Sequence, residues 1–269
     1  MQVGKRTKLD SPCAALQRTC TNKLFMLGLF PGASVAPAEQ KQPMHTGATA
    51  QSASLLTSMS LILLSLLAFV TGILHIRAEY RGPRRAVYLL KPLTTVLLLC
   101  LALLTAQPVS PFYKGAISLG LLFSLAGDIF LMLPADRFIA GLVSFLLAHL
   151  AYIIAFTSQS GFHVWSANAA PWLVYGIVIL GFLWPHLDKL KAPVLVYMAV
   201  ILLMGIQAAE QWRQVEQTRA LLALIGAILF IISDSALALD RFRKPFPSAR
   251  ALVLGAYYVA QWLIARSIG

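Results

Sequence analysis

Acidic residues are scarce in this 269-residue chain: ten Asp and Glu stand against 22 Lys and Arg, and charged residues together make up only 12%. A soluble domain carries about a quarter charged residues, so this composition cannot supply an ordinary water-facing surface. Period-2 alternation of apolar and polar residues is also missing. That excludes a membrane β-barrel, whose strands alternate lipid-facing and lumen-facing side chains. The three cysteines, Cys13, Cys20 and Cys100, share no metal-ligand spacing and indicate no disulfide framework. Among five histidines there is no His-x3-His or His-Glu-x2-His pair, which disfavours a metal hydrolase. A Gly-x-Ser-x-Gly elbow and a phosphate-cradling glycine loop are absent too. No metal and no cofactor are expected.

What is present is apolar. Hydrophobic residues make up 58% of the chain and gather in blocks of about 20, the length that crosses a hydrocarbon core as a helix. The fold class is therefore all-α, a polytopic membrane bundle of about eight transmembrane helices. The spans fall near 55–76, 87–106, 112–133, 138–157, 171–185, 193–209, 219–239 and 249–267, the fifth being short. Proline and charge clusters mark the turns between them, and such short connections imply antiparallel neighbours. Residues 1–54 differ, being rich in Ala, Gln, Thr, Pro and Ser, and read as a disordered tail before a catalytic domain at 55–269. Within that tail "KLFMLGLFPGASVAPA" has the layout of a signal peptide with a short apolar core, and Met44 could serve as an alternative start.

The net charge of +12 does not point to nucleic acid. Six Lys and Arg lie in the first 54 residues and most others flank span ends, as topogenic, headgroup-facing charge does. The side holding the loops after the first, third, fifth and seventh spans is the richer in Lys and Arg, so the positive-inside rule makes it cytosolic. Spans three and four, and again seven and eight, form Leu-rich hairpins with an acid near an Asp-Arg-Phe exit. This suggests a parallel internal repeat.

Ionisable groups inside spans are costly and usually face the bundle interior. Asp128 lies six residues before Pro134, and Asp234 six before Asp240, so both sit roughly 9 Å in from the same side at about 1.5 Å per residue. Lys91 opens the second span from that side, Tyr197 follows Pro193 into the sixth, His149 lies in the fourth, and Tyr258 and Gln261 lie in the eighth. Bland roles exist for most of them: snorkelling for Lys91, a core hydrogen bond for His149, interhelical bonding for Tyr197, Tyr258 and Gln261. Two membrane carboxyls at one depth are harder to explain structurally. His75, His163 and His186 lie at span ends or in loops, and Glu210 at the far edge, where structural roles suffice.

The ordered set of "KP" at Lys91-Pro92, "GDIFLM" at 127–132, "FIAGLVSFLLAHLAY" at 138–152, "ISDSALALDRF" at 232–242 and "YYVAQWLI" at 257–264 resembles the lysoplasmalogenases, or YhhN-like membrane proteins. It is similar in particular to their animal endoplasmic-reticulum branch, and the long N-terminal segment departs from the family's usual short N-terminus. The resemblance implies hydrolysis of the vinyl ether bond of a lysophospholipid among membrane lipids, giving a fatty aldehyde and glycerophosphocholine or glycerophosphoethanolamine. It implies catalytic roles for Asp128, Asp234 and His149, and substrate contacts for Lys91, Tyr197, Tyr258 and Gln261. Protonation of a vinyl ether carbon calls for one neutral acid and one carboxylate, which two carboxyls in a low-dielectric pocket can supply. Two other readings fit membrane carboxyls: a proton-coupled transporter or lipid carrier, and an intramembrane aspartyl protease. The protease's Gly-x-Gly-Asp and Tyr-Asp patterns are broken by Leu125 and Ser233.

Overall fold

The computed structural model describes residues 46–135, 137–163 and 169–269. The signal-peptide layout, Met44, Cys13, Cys20 and the tail reading up to residue 45 fall outside them, whereas residues 46–54, also read as tail, belong to the first helix. Eight α-helices run through the described residues: α1 Thr46–Arg81, α2 Arg84–Leu104, α3 Pro111–Met132, α4 Phe138–Ser160, α5 Ala169–Leu183, α6 Lys191–Val215, α7 Thr218–Ala238 and α8 Ala249–Arg266. The chain is a polytopic helical membrane protein. Seven of these helices are long and apolar enough to cross a membrane. The eighth, α8, is 18 residues long, about 27 Å, and Tyr257, Tyr258, Gln261 and two arginines dilute its apolar character. One face of it, including Leu254, Tyr257, Tyr258, Gln261 and Ile264, is nevertheless buried, and it packs mainly along α7 and α2.

Local chemistry sets the helix ends. Ser110 caps α3 by accepting the Tyr113 N–H at 3.0 Å, with Pro111 at the first helical position, where its missing N–H costs nothing. Gly161 stops α4 at φ +80°, a conformation glycine adopts without steric cost. Helix α7 continues as a wide π-turn, Leu239–Arg243, before the chain turns back into α8.

The hairpins α3–α4 and α7–α8 are the most intimately packed pairs. Close approach depends on small residues facing large ones. A Cβ at Gly120 would lie 2.2 Å from the Tyr152 ring, and one at Gly226 would lie 2.7 Å from Ile264. Tyr113, Tyr152, Phe156, Phe230, Leu98 and Ile264 are the large side chains at the centre of the bundle. Leucines and isoleucines of α1 and α5 stay outward-facing, as expected for helices whose outer face meets lipid rather than water.

Candidate active site

Asp128 stands near the end of α3, and the residue before it explains its surroundings. A Cβ at Gly127 would lie 2.6 Å from the Phe145 ring, so glycine lets α4 close against α3 at this level. Asp128 is 2% exposed. Its Oδ2 accepts hydrogen bonds from the Thr95 hydroxyl at 2.6 Å and the Tyr257 hydroxyl at 2.8 Å, and its Oδ1 faces Lys91 Nζ at 3.6 Å. The network continues toward the turn connecting α1 to α2. Tyr258 Oη lies 2.8 Å from His75 Nδ1, His75 Nε2 lies 3.5 Å from Glu79, and Arg250 lies 3.8 Å from the same carboxylate. His75 is fully buried and belongs to this network, although its place near a span end gave no hint of it.

Asp234 stands at the same level of α7 in different company. Ser233, before it, donates to the Val253 carbonyl at 2.9 Å and ties α7 to α8. Tyr197 donates its hydroxyl hydrogen to Asp234 Oδ2, and Tyr175 donates to the neighbouring Ser235 hydroxyl at 2.8 Å. Asp234 is partly buried, and none of the ion pairs among the described residues involves it. Its carboxyl lies on the wall of a partly open apolar cleft between α3–α4 and α5–α7. Phe145, Met198, Ile201, Ile231 and Phe242 also line it, together with Tyr197. A shallower groove between α4 and α6 shares Leu142 and Tyr197 with the cleft.

An aromatic layer joins the two carboxyl centres. Tyr257, bonded to Asp128, packs against Phe230 with ring centroids 5.5 Å apart; Phe230 packs on His149 at 4.7 Å; His149 packs on Tyr197 at 5.3 Å. Of the seven candidate residues, Tyr197 and Asp234 line the cleft, whereas Lys91, Asp128, His149, Tyr258 and Gln261 are not part of its wall. His149 is fully buried and neither ring nitrogen has a hydrogen-bond partner among the described residues. Gln261 accepts from the Tyr152 hydroxyl at 2.6 Å, and its amide nitrogen has no such partner. Glu210, at the opposite side, is buried against Arg213 at 2.8 Å.

Two polar partners of Asp128, Thr95 and Tyr257, and the Tyr175–Ser235 pair beside Asp234 were missed at the sequence level. Thr95 is one turn beyond Lys91 and on the same helix face, so that spacing could have revealed it. Tyr257 is adjacent to Tyr258, and the 100° step between them sends one to Asp128 and the other to His75. Tyr175 and Ser235 carry no sequence signal of their own. No group of three His, Cys, Asp or Glu side chains among the described residues is placed to share a metal ion. Chemically, the cleft offers an apolar chain a single carboxyl with a tyrosine hydroxyl beside it.

Comparison with known proteins agrees with this architecture. No solved structure matches. An uncharacterised membrane protein YhhN of Escherichia coli is 32% identical over 195 residues, covering 72% of this chain and 93% of that protein. The lysoplasmalogenase TMEM86A of Bos taurus is 36% identical over 160 residues, covering 56% of this chain and 64% of its own. The human lysoplasmalogenase TMEM86B is 34% identical over 176 residues, with 63% and 70% covered. The family match itself runs over residues 86–268, from the start of α2 to the end of α8, and the chain belongs to the YhhN family.

Proposed function

We propose that this protein is a lysoplasmalogenase, cleaving the vinyl ether bond of one-chain ether phospholipids, and that Asp234 is the carboxyl that meets the substrate. The observation that carries the reading is the position of Asp234 and Tyr197 on the wall of an apolar cleft. Relatives named lysoplasmalogenase, at 34–36% identity, support the same chemistry.

In the proposed reaction the Asp234 carboxyl delivers its proton to the β-carbon of the vinyl ether, breaking the C=C π bond and leaving an oxocarbenium ion on the α-carbon and ether oxygen. The carboxylate so formed lies beside that cation and stabilises it, as in glycoside hydrolysis. Water adds to the α-carbon and returns a proton to the carboxylate. The hemiacetal then loses the glycerol oxygen as an alcohol, leaving the fatty aldehyde. One water is consumed, and no redox change occurs. Tyr197 fixes the carboxyl by its hydrogen bond, and His149, packed edge-on against the Tyr197 ring, holds that tyrosine in place. Lys91 and Asp128 form a paired strut behind the aromatic layer, since a proton donor must come within hydrogen-bond reach of the atom it serves. Tyr258 and Gln261 brace α8 rather than touch the lipid.

Purified protein in detergent should release aldehyde from a vinyl ether lysolipid and leave the saturated ether analogue intact, because only the vinyl ether can form the oxocarbenium ion by carbon protonation. Equal turnover of a lysolipid ester would replace this mechanism with an esterase. Absence of turnover, with transport once the protein is placed in sealed vesicles, would favour the carrier reading. The proposed address is the endoplasmic reticulum, supported by the likeness to the animal enzymes; a tagged copy residing in another membrane of an animal cell would overturn it.

A further inference from the structure

We propose that the hydroxyls of Tyr175 and Ser235 form a binding site for the free secondary hydroxyl of a one-chain glycerolipid, beside the Asp234 carboxyl. This deepens the hydrolase reading and rests on it for the class of substrate. The starting observation is how little oxygen the cleft holds. Among the described residues that line it, four carry a side-chain oxygen, namely Tyr175, Tyr197, Asp234 and Ser235, and the others are apolar. The four are paired. Tyr197 of α6 donates to Asp234, and Tyr175 of α5 donates to Ser235 at 2.8 Å. Consecutive residues of α7 thus each meet a tyrosine from a different helix. The first pair carries the proposed proton transfer, and the second has no part in it.

A brace between α5 and α7 would account for the Tyr175–Ser235 bond itself, but not for where the bond lies. The Tyr113–Ser267 pair, joined at the same 2.8 Å, is sealed in the core, as a brace alone requires. Tyr175 and Ser235 are only partly buried, and both belong to the cleft wall. Two hydroxyls bring two hydrogens, and the bond between them uses one. The pair therefore keeps a donor hydrogen and free lone pairs in a wall that is otherwise hydrocarbon. An alkyl chain is a poor cover for that spot, because a polar group it covers loses water and gains no partner. A ligand hydroxyl fits, since it accepts the spare hydrogen and donates one of its own.

The spacing suits the reaction. In a one-chain vinyl ether lipid the β-carbon and the secondary oxygen of glycerol are five bonds apart, roughly 6 Å when extended. Consecutive helical side chains diverge by about 100°, which separates their tips by roughly 5–8 Å. With the secondary hydroxyl on Tyr175 and Ser235, the carbon to be protonated falls at the Asp234 carboxyl, and the chain runs on past Ile231 and Ile201 in the cleft lining. A two-chain lipid carries an ester at this position. Its oxygens accept but have no hydrogen to donate, and its second chain would cover the pair with hydrocarbon. The pair thus favours one-chain lipids over the two-chain lipids of the surrounding bilayer.

The test uses the full chain in detergent and two uncleavable probes with the same saturated ether chain and phosphocholine, one with the free secondary hydroxyl and one with hydrogen in its place. Wild-type protein should bind the hydroxyl probe at least about tenfold more tightly than the deoxy probe, because a site built to pair a hydroxyl rejects the analogue that lacks it. Ser235→Ala and Tyr175→Phe should each shrink that preference to within about twofold while leaving deoxy-probe binding within about twofold of wild type. Deoxy-probe binding doubles as the check that the cleft is intact, and loss of the preference in either variant that passes it supports the site. A preference surviving in both variants, or equal weakening of both probes in both, would make the pair a brace and overturn the site. Aldehyde release is scored separately on the vinyl ether lysolipid. A hydroxyl preference in a protein that releases no aldehyde would keep the site and end the hydrolase reading; aldehyde release by a wild-type protein without the preference would do the reverse.

Discussion

Asp128 and Asp234 sit four residues before the ends of α3 and α7, each in the first helix of a tightly packed hairpin, yet the two halves of the bundle treat them differently. On the α2–α3–α8 side the carboxyl is sealed in: two hydroxyls donate to it and an ammonium faces it. On the α5–α7 side the carboxyl has one tyrosine and an apolar cleft. The residue before each aspartate sets the difference. Gly127 admits Phe145 and closes α4 onto α3, whereas Ser233 draws α7 toward α8 and leaves the opposite side, toward α5 and α6, open. Equal depth is thus no guide to equal role, because access is decided by the neighbouring helices.

The largest expected effect lies on the sealed side. Lys91→Met would leave a buried carboxyl without its cation, an imbalance that costs roughly 3 kcal/mol in other proteins, so the melting temperature in detergent should drop clearly. Lys91→Met combined with Asp128→Leu should recover most of the loss, because neither charge then remains unpaired. A Lys91→Met protein as stable as wild type would break the comparison at its sealed end.

On the open side the effect should fall on rate instead. Asp234→Asn keeps shape and removes the transferable proton, so aldehyde release should fall by about 100-fold or more, the usual scale for general acid–base catalysis. Its melting temperature should hold, since the amide is as neutral as the protonated acid and its oxygen still accepts from Tyr197. Near-normal turnover in folded Asp234→Asn protein would return the proton donor's role to Asp128. Tyr197→Phe should act in the same direction but more weakly. Losing one orienting hydrogen bond is worth about 1 kcal/mol, so a rate loss of roughly fivefold with little change in KM is expected.

How much of this was visible beforehand follows from what sequence periodicity reports. Helix number and approximate ends were legible because a bilayer demands apolar runs of defined length, and the depth of Lys91, Asp128, Tyr197 and Asp234 followed from counting along those runs. Which helix faces which was not legible. Rotation about a helix axis decides that Tyr257 reaches Asp128 while Tyr258 reaches His75, and an apolar stretch such as α5 gives little amphipathic signal from which to read that rotation. His75 was undervalued for a related reason: α8 covers it, and no local pattern in α1 announces that cover.

The smallest effect tests whether the sealed half takes any part in chemistry. Tyr258→Phe removes the hydroxyl that meets His75 Nδ1 at 2.8 Å and keeps the ring that packs on Tyr257 at 5.3 Å. A single buried hydrogen bond is worth about 1 kcal/mol, with a further penalty when its partner is left unsatisfied. His75 would retain Glu79 at 3.5 Å on its other nitrogen, which limits that penalty. The expected outcome is a small fall in melting temperature with aldehyde release and KM unchanged. A tenfold loss of rate at unchanged stability would connect the His75–Tyr258 network to the reacting atoms. The two halves would then act as one site, joined through Tyr257, Phe230 and His149.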